Sequence, residues 1–293
     1  MKKIVFSIVT IMMLLLASCK SDTPTPSDGN QPGGETINVV RSINISYPPV
    51  SIGGINSDFT RFEYEYDKKG RLTEIDWEDS EENKEIDFDI LYDINRILVN
   101  IDGNIDYKSE MDLNADNQVT KLQIKGKQIL TSVNFTYEGK KLKSHSFVNP
   151  KSPKLNHVEV FEWKGDNLVK VYTKERGDLA DQVSINIEYY PDLLNTCFPD
   201  ITQHFDFMHL ENNRIENYGL VPELRYLMGM RSRNLPKKVI TEITSEFGGH
   251  KHHIFTKEIT YKFDSKGRID IVFVTSKEKN NTRPFKFEVK INY

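Results

Sequence analysis

The chain has 293 residues, with 39 lysines and arginines against 43 aspartates and glutamates, a net charge of −4. That balance excludes the basic face a nucleic-acid partner would want. Two cysteines in this length exclude a disulfide-stapled scaffold, so stability has to come from one large core.

Met1-Lys2-Lys3 form a short positive segment, followed by an apolar run from Ile4 to Leu16 broken only by Ser7 and Thr10. The run is too short for a bilayer core, which takes roughly 20 residues, and has the length and flanks of a secretory signal. It ends in Leu16-Ala17-Ser18-Cys19. Two small residues between a leucine and a cysteine resemble the bacterial lipobox. The expectation is a signal peptide at 1–18, cleaved so that Cys19 carries the lipid that holds the protein to a membrane. Loss of residues 1–18 removes two lysines, leaving 37 basic against 43 acidic residues and a charge of −6. Cys197 then remains as a free thiol.

From Lys20 to Gly34 no hydrophobic residue occurs, and Pro, Gly, Ser and Asp dominate. Such a stretch buries nothing that would offset the entropy of ordering it, so 19–36 reads as a lipidated disordered tether. Lys20 and Asp22 resemble, in part, a surface-export signal of Bacteroidota-type lipoproteins. The location expected is the cell envelope, at the outer membrane, on its periplasmic or its surface face.

Residues 37–293 read as a single antiparallel β domain built on a weak repeat. Alternating apolar residues run up to an aromatic, a polar turn follows, and an aliphatic residue starts the next strand. Tyr66-Asp67-Lys68-Lys69-Gly70-Arg71-Leu72 shows it, and Tyr261-Lys262-Phe263-Asp264-Ser265-Lys266-Gly267-Arg268-Ile269 repeats it. Anchors at Tyr66, Tyr92, Leu113, Tyr137, Trp163 and Tyr189 are spaced 26, 21, 24, 26 and 26 residues apart. That spacing fits a hairpin added repeatedly to a growing sheet. Period-two alternation is clearest in Phe285 to Tyr293 and around Ile185, Ile187 and Tyr189. Gly70 and Gly267 are expected to take the left-handed turn conformation, with Asn117 and Asn167 in glycine's place elsewhere. The segment around 221–232 departs from the pattern. Leu220, Leu224, Leu227 and Met228 share a helical face, Pro222 suits a first turn, and Asn234-Leu235-Pro236 stops it. It predicts one short helix, packed on the sheet or plugging one end.

Several groups invite a chemical reading. His250 and His252 would share one side of a strand and chelate a transition metal, but no carboxylate or cysteine stands at matching spacing and Lys251 opposes a cation. An exposed hairpin loop is the simpler reading. Asp112, Asn114 and Asp116 have the alternation of a calcium loop, but Gln123 stands where a bidentate glutamate is needed. Their alignment with the repeat turns accounts for them without an ion. Cys197 and His204 sit in no nucleophile motif. The acidic run Asp76, Glu78, Asp79, Glu81, Glu82 reads as a solvated hairpin tip. No metal, cofactor or catalytic residue is therefore assigned, and Cys19 is the one assigned site.

Tyr66 to Thr73 resembles the YD repeats of toxin-encapsulating shells. Taken together, lipobox, Pro/Gly tether, degenerate hairpins and the element Met228 to Lys238 resemble a family of Bacteroidota lipoproteins described as a domain of unknown function with porin-like fold. The resemblance covers about residues 37–293. It implies a closed or nearly closed antiparallel barrel and brings no activity or site residues. Tyr293 after an alternating strand is similar to the terminal signal of outer-membrane barrels. Against insertion, 112–116 and 121–125 offer little lipid-facing surface, so the domain is expected to be soluble. The function expected is a non-catalytic scaffold binding a glycan, a lipid or another envelope protein. A porin-like outer-membrane barrel and a hydrolase with a dispersed site are the alternatives.

Overall fold

A computed structural model describes residues 37–46, 59–79, 84–102, 107–126, 130–204, 224, 227–245, 251–279 and 284–293. Residues 1–36, read above as a signal segment and tether, lie outside them. Eighteen strands occur among the described residues. The first nine are β1 (Asn38–Val39), β2 (Ser42–Ser46), β3 (Phe59–Tyr66), β4 (Leu72–Asp79), β5 (Lys84–Asp93), β6 (Arg96–Asp102), β7 (Tyr107–Leu113), β8 (Val119–Gly126) and β9 (Leu130–Glu138). The rest are β10 (Lys141–Val148), β11 (His157–Lys164), β12 (Asn167–Arg176), β13 (Gln182–Leu194), β14 (Cys197–Phe198), β15 (Asn234–Ser245), β16 (Lys251–Phe263), β17 (Ile269–Glu278) and β18 (Phe285–Asn292).

Sixteen of them form one closed antiparallel barrel in chain order, and β18 returns to pair with β2. At that seam Ile291 lies opposite Ile43 and Lys290 opposite Asn44. β1 and β14 stand apart as a short parallel pair.

The repeat turn explains why the strands reverse where they do. Asp67 Oδ1 accepts the backbone N–H of Lys69 at 2.8 Å and of Arg71 at 3.0 Å. Asp264 does the same for Lys266 and Arg268, and Asn114 for Asp116 and Gln118. One side-chain oxygen thus holds two donors that the turn would otherwise leave unmatched. The residue three positions on takes positive φ in each case: Gly70 (73°), Asn117 (58°) and Gly267 (76°). Asn167 departs from expectation, because its turn places the left-handed residue at Gly165 (φ 56°). The Asn167 amide instead exchanges hydrogen bonds with Asn234, at 3.0 and 2.9 Å.

The repeat aromatic closes each unit laterally. Tyr66 Oη donates to Val40 O, Tyr92 to Leu72 O, Tyr137 to Val119 O, and Trp163 Nε1 to Leu142 O. Tyr189 donates to Leu168 O, Tyr261 to Pro236 O, and Tyr293 to Ile269 O. Most of these donors sit at or just past the end of one strand and reach the start of the preceding one, so the set forms a girdle round one mouth of the barrel. Leu113 fills the equivalent position with no polar side chain, and only its backbone N–H reaches Asn95 O, at 2.9 Å.

Described residues between β13 and β15 meet this mouth at two places. Near β3 and β18, the Phe198 ring lies 6.2 Å from that of Tyr66, and Cys197 Sγ is 3.3 Å from Tyr293 Oη. On the far side Gly229 O accepts the N–H of Leu142, and Ser232 Oγ accepts that of Leu168. Ile201, Leu224, Leu227 and Met228 are buried with the barrel core, so these residues plug the mouth. Much of the helix expected over 221–232 lies outside the described residues. Leu224, Leu227 and Met228 are in tight 3₁₀-type turns, and β15 begins already at Asn234, with Pro236 inside the strand.

The core lies inside the ring. On β18 Phe287, Val289 and Ile291 are buried while Lys286, Glu288 and Lys290 are exposed. Inward residues such as Ile43, Ile75, Val99, Leu122, Leu142, Val171, Ile185 and Val272 are essentially solvent-free and join one cluster. Side chains all round the ring cannot be dry beside an aqueous lumen of the kind barrels of this strand number otherwise enclose.

Candidate functional site

Most of the interior is aliphatic, which makes its polar members conspicuous. His145 on β10 and Glu159 on β11 are directly opposed in register, and Phe147 is opposed to His157. All three polar side chains are buried, and their candidate donor atoms lie within 4.8 Å of one another. His145 Nε2 stands 3.1 Å from Glu159 Oε2 but out of line for a hydrogen bond. His157 Nδ1 lies 3.0 Å from Leu155 O. A carbonyl only accepts, so Nδ1 carries a proton, and in the neutral ring the lone pair is on Nε2.

Aromatic rings box the group. His157 stacks on Phe147 at 5.0 Å, and His145 meets Phe161 edge-on at 5.3 Å and Phe135 at 6.0 Å. On neighbouring β9 the hydroxyl of Thr131 is buried with no hydrogen-bond partner. Glu159 lies four residues before Trp163, and Lys257, also buried, lies four before Tyr261. The two charges thus occupy the same depth below the girdle.

Sequence reading missed this cluster because both faces of His157-Val158-Glu159-Val160-Phe161 carry apolar residues. The missing signal was the phase of the girdle aromatic. Trp163 points inward, so counting back in twos turns Phe161, Glu159 and His157 inward as well.

The residues singled out from sequence are placed otherwise. Cys19 and His250 lie outside the described residues. His252 is exposed on β16 opposite Thr244, while His253 Nδ1 pairs with Glu278 at 2.6 Å. Asp112 faces Arg96 at 3.6 Å, and Asn114 is committed to its own turn. Asp116 joins that turn through its backbone N–H. The Cys197 thiol is pushed up to about 11, chiefly by burial.

The described part of the acidic run lies in a strand rather than at a hairpin tip. Asp76, Glu78 and Asp79 belong to β4, and Glu81 and Glu82 lie outside the described residues. Cross-strand register lines up Glu63, Asp76, Asp87 and Asp102 in one row, and Glu65, Glu74 and Asp89 in the next. Desolvation, followed by the neighbouring carboxylates, raises the Glu74 and Asp76 carboxyls above their ordinary values.

No protein-family profile matches the chain, and no curated protein matches it. Among solved structures it is similar to a porin-like protein from Bacteroides uniformis, with a TM-score of 0.60 at 12% identity, covering 88% of this chain and 99% of that one. It is also similar to a porin-like protein from Bacteroides vulgatus, with a TM-score of 0.57 at 10% identity, covering 87% and 98%. At these identities the likeness is one of fold.

Proposed function

We propose that this protein is a cell-envelope lipoprotein, anchored through Cys19, whose barrel stands in water as a non-catalytic scaffold for a ligand or protein partner. The observation that carries the reading is the polarity of the wall. A membrane barrel turns apolar residues outward to lipid and polar ones inward to a channel. Here Lys286, Glu288 and Lys290 face out and Phe287, Val289 and Ile291 face in. The acidic rows on β3 to β6 also lie along the outer face, where a lipid belt would have to be. The fold resembles porin-like proteins, and the packed interior and covered mouth argue against a conduit. The lipobox at Leu16 to Cys19 and the tether after it support anchoring. A glycan, a lipid headgroup or another envelope protein then meets the outer surface.

Two measurements on one preparation test this. Metabolic labelling with an alkyne fatty acid should mark the wild type and not Cys19→Ala. Residues 36–293, made without detergent, should elute as a monodisperse β-rich species. A chain that aggregates unless detergent is added, and then conducts ions in planar bilayers, would replace the scaffold with the porin reading.

A further inference from the structure

We propose that His145, His157 and Glu159 bind one zinc ion inside the barrel, where it staples β10 to β11. This goes beyond the scaffold reading and stands or falls separately from it. Two imidazoles and a carboxylate are a donor set that zinc accepts, with water as the fourth ligand. Donor atoms around a tetrahedral zinc are roughly 3.4 Å apart. The three side chains here already lie within 4.8 Å, and one pair is at 3.1 Å. Small side-chain adjustments therefore complete the site.

The surroundings match a metal centre in a second respect. A ligating histidine characteristically donates its other ring N–H to a carbonyl, which fixes the tautomer and aims the lone pair. His157 has that arrangement through Leu155 O. His145 Nε2 and Glu159 are close without forming a well-directed hydrogen bond, a geometry suited to sharing a cation. The Phe135, Phe147 and Phe161 rings keep the site closed, so loading accompanies folding.

The test is a zinc determination on the full-length protein, refolded from guanidinium with zinc and then desalted. About one zinc per chain is expected. His157→Ala and Glu159→Gln should each lower the retained zinc by at least ~10-fold. His252→Ala and His253→Ala should leave it unchanged. A wild type that retains essentially none overturns the proposal, as does zinc that is lost only with the two surface histidines. Should the core variants fail to fold, X-ray absorption on the zinc-loaded wild type decides. Two imidazoles and a carboxylate around the metal support the assignment, and an oxygen-only shell overturns it. Fatty-acid labelling at Cys19 is indifferent to either result, so the two readings cannot be confused.

Discussion

A phenol at the end of one strand, bonded to a carbonyl at the start of its neighbour, is the smallest repeating contact in the molecule. Tyr137 makes only that bond, to Val119 O, whereas Tyr189 serves both Leu168 O and the Ser232 hydroxyl of the plug. Tyr137→Phe should therefore cost about 1 kcal/mol and Tyr189→Phe about 2 kcal/mol in urea unfolding. Equal losses would show that the Ser232 contact adds nothing. Burial pushes the Tyr137 phenol well above its ordinary range, so it stays a donor at any physiological pH. The Cys197 thiol, raised to about 11 and set beside Tyr293, is a buried apolar group rather than a nucleophile. In a Cys19→Ser chain it should resist a thiol reagent at pH 8 while folded and react fully once unfolded. Rapid labelling of the native state would contradict the packing described.

Turns and strand faces show how far the elements were legible in the sequence. Asp67, Gly70 and their counterparts at 264 and 267 could be read because the turn needs one acceptor and one left-handed residue at fixed spacing. Asn167 could not, since its partner Asn234 is remote in sequence and the left-handed position falls on Gly165 instead. The plug raises the same difficulty, and among its described residues the one with positive φ is Gly229. That residue has φ +64°, and an added Cβ would stand 2.4 Å from Lys140 O. Gly139, at φ +60°, has open space around it. Gly139→Ala should cost about 1 kcal/mol from backbone strain, and Gly229→Ala about 2–4 kcal/mol because strain and clash add. The acidic rows were not legible in the sequence because register, not composition, aligns Asp76 with Glu63 and Asp87. A carboxyl with a raised folded pKa holds its proton to higher pH than in the unfolded chain. Its contribution is therefore present at low pH and lost as pH rises through the folded value. Asp76→Asn should accordingly raise Tm at pH 7, with the gain shrinking as pH falls through the carboxylate range. A gain independent of pH would remove charge as its cause.

At the scale of the whole molecule, the orientation of the wall decides what the barrel is. Strand periodicity made the all-β class and the hairpin plan legible, because alternation over eight or nine residues survives any tertiary context. The interior histidines and glutamate were not legible, since their strand alternates valine with polar residues and presents apolar groups on both faces. The orientation yields a paired prediction on β18. Val289→Lys should abolish folding, because it buries an unpaired charge in the packed core, while Lys290→Val should shift Tm little. In a lipid-facing wall the two variants would exchange roles. Circular dichroism melts on both, without detergent, make the comparison.

The seam between β18 and β2 has a bearing on biogenesis. Asn292 bonds Ser42 across 250 residues, and joining points so far apart costs roughly 5 kcal/mol in chain entropy before any contact rewards it. Among the barrel strands β2 is made first and β18 last, so a sheet that still lacks β18 is open, with two unpaired edges. Such edges invite pairing with other chains. A truncation that removed β18 would therefore leave an aggregation-prone ribbon rather than a smaller barrel. For this fold, arrival of the last strand separates a template for misassembly from a surface with nothing left to pair.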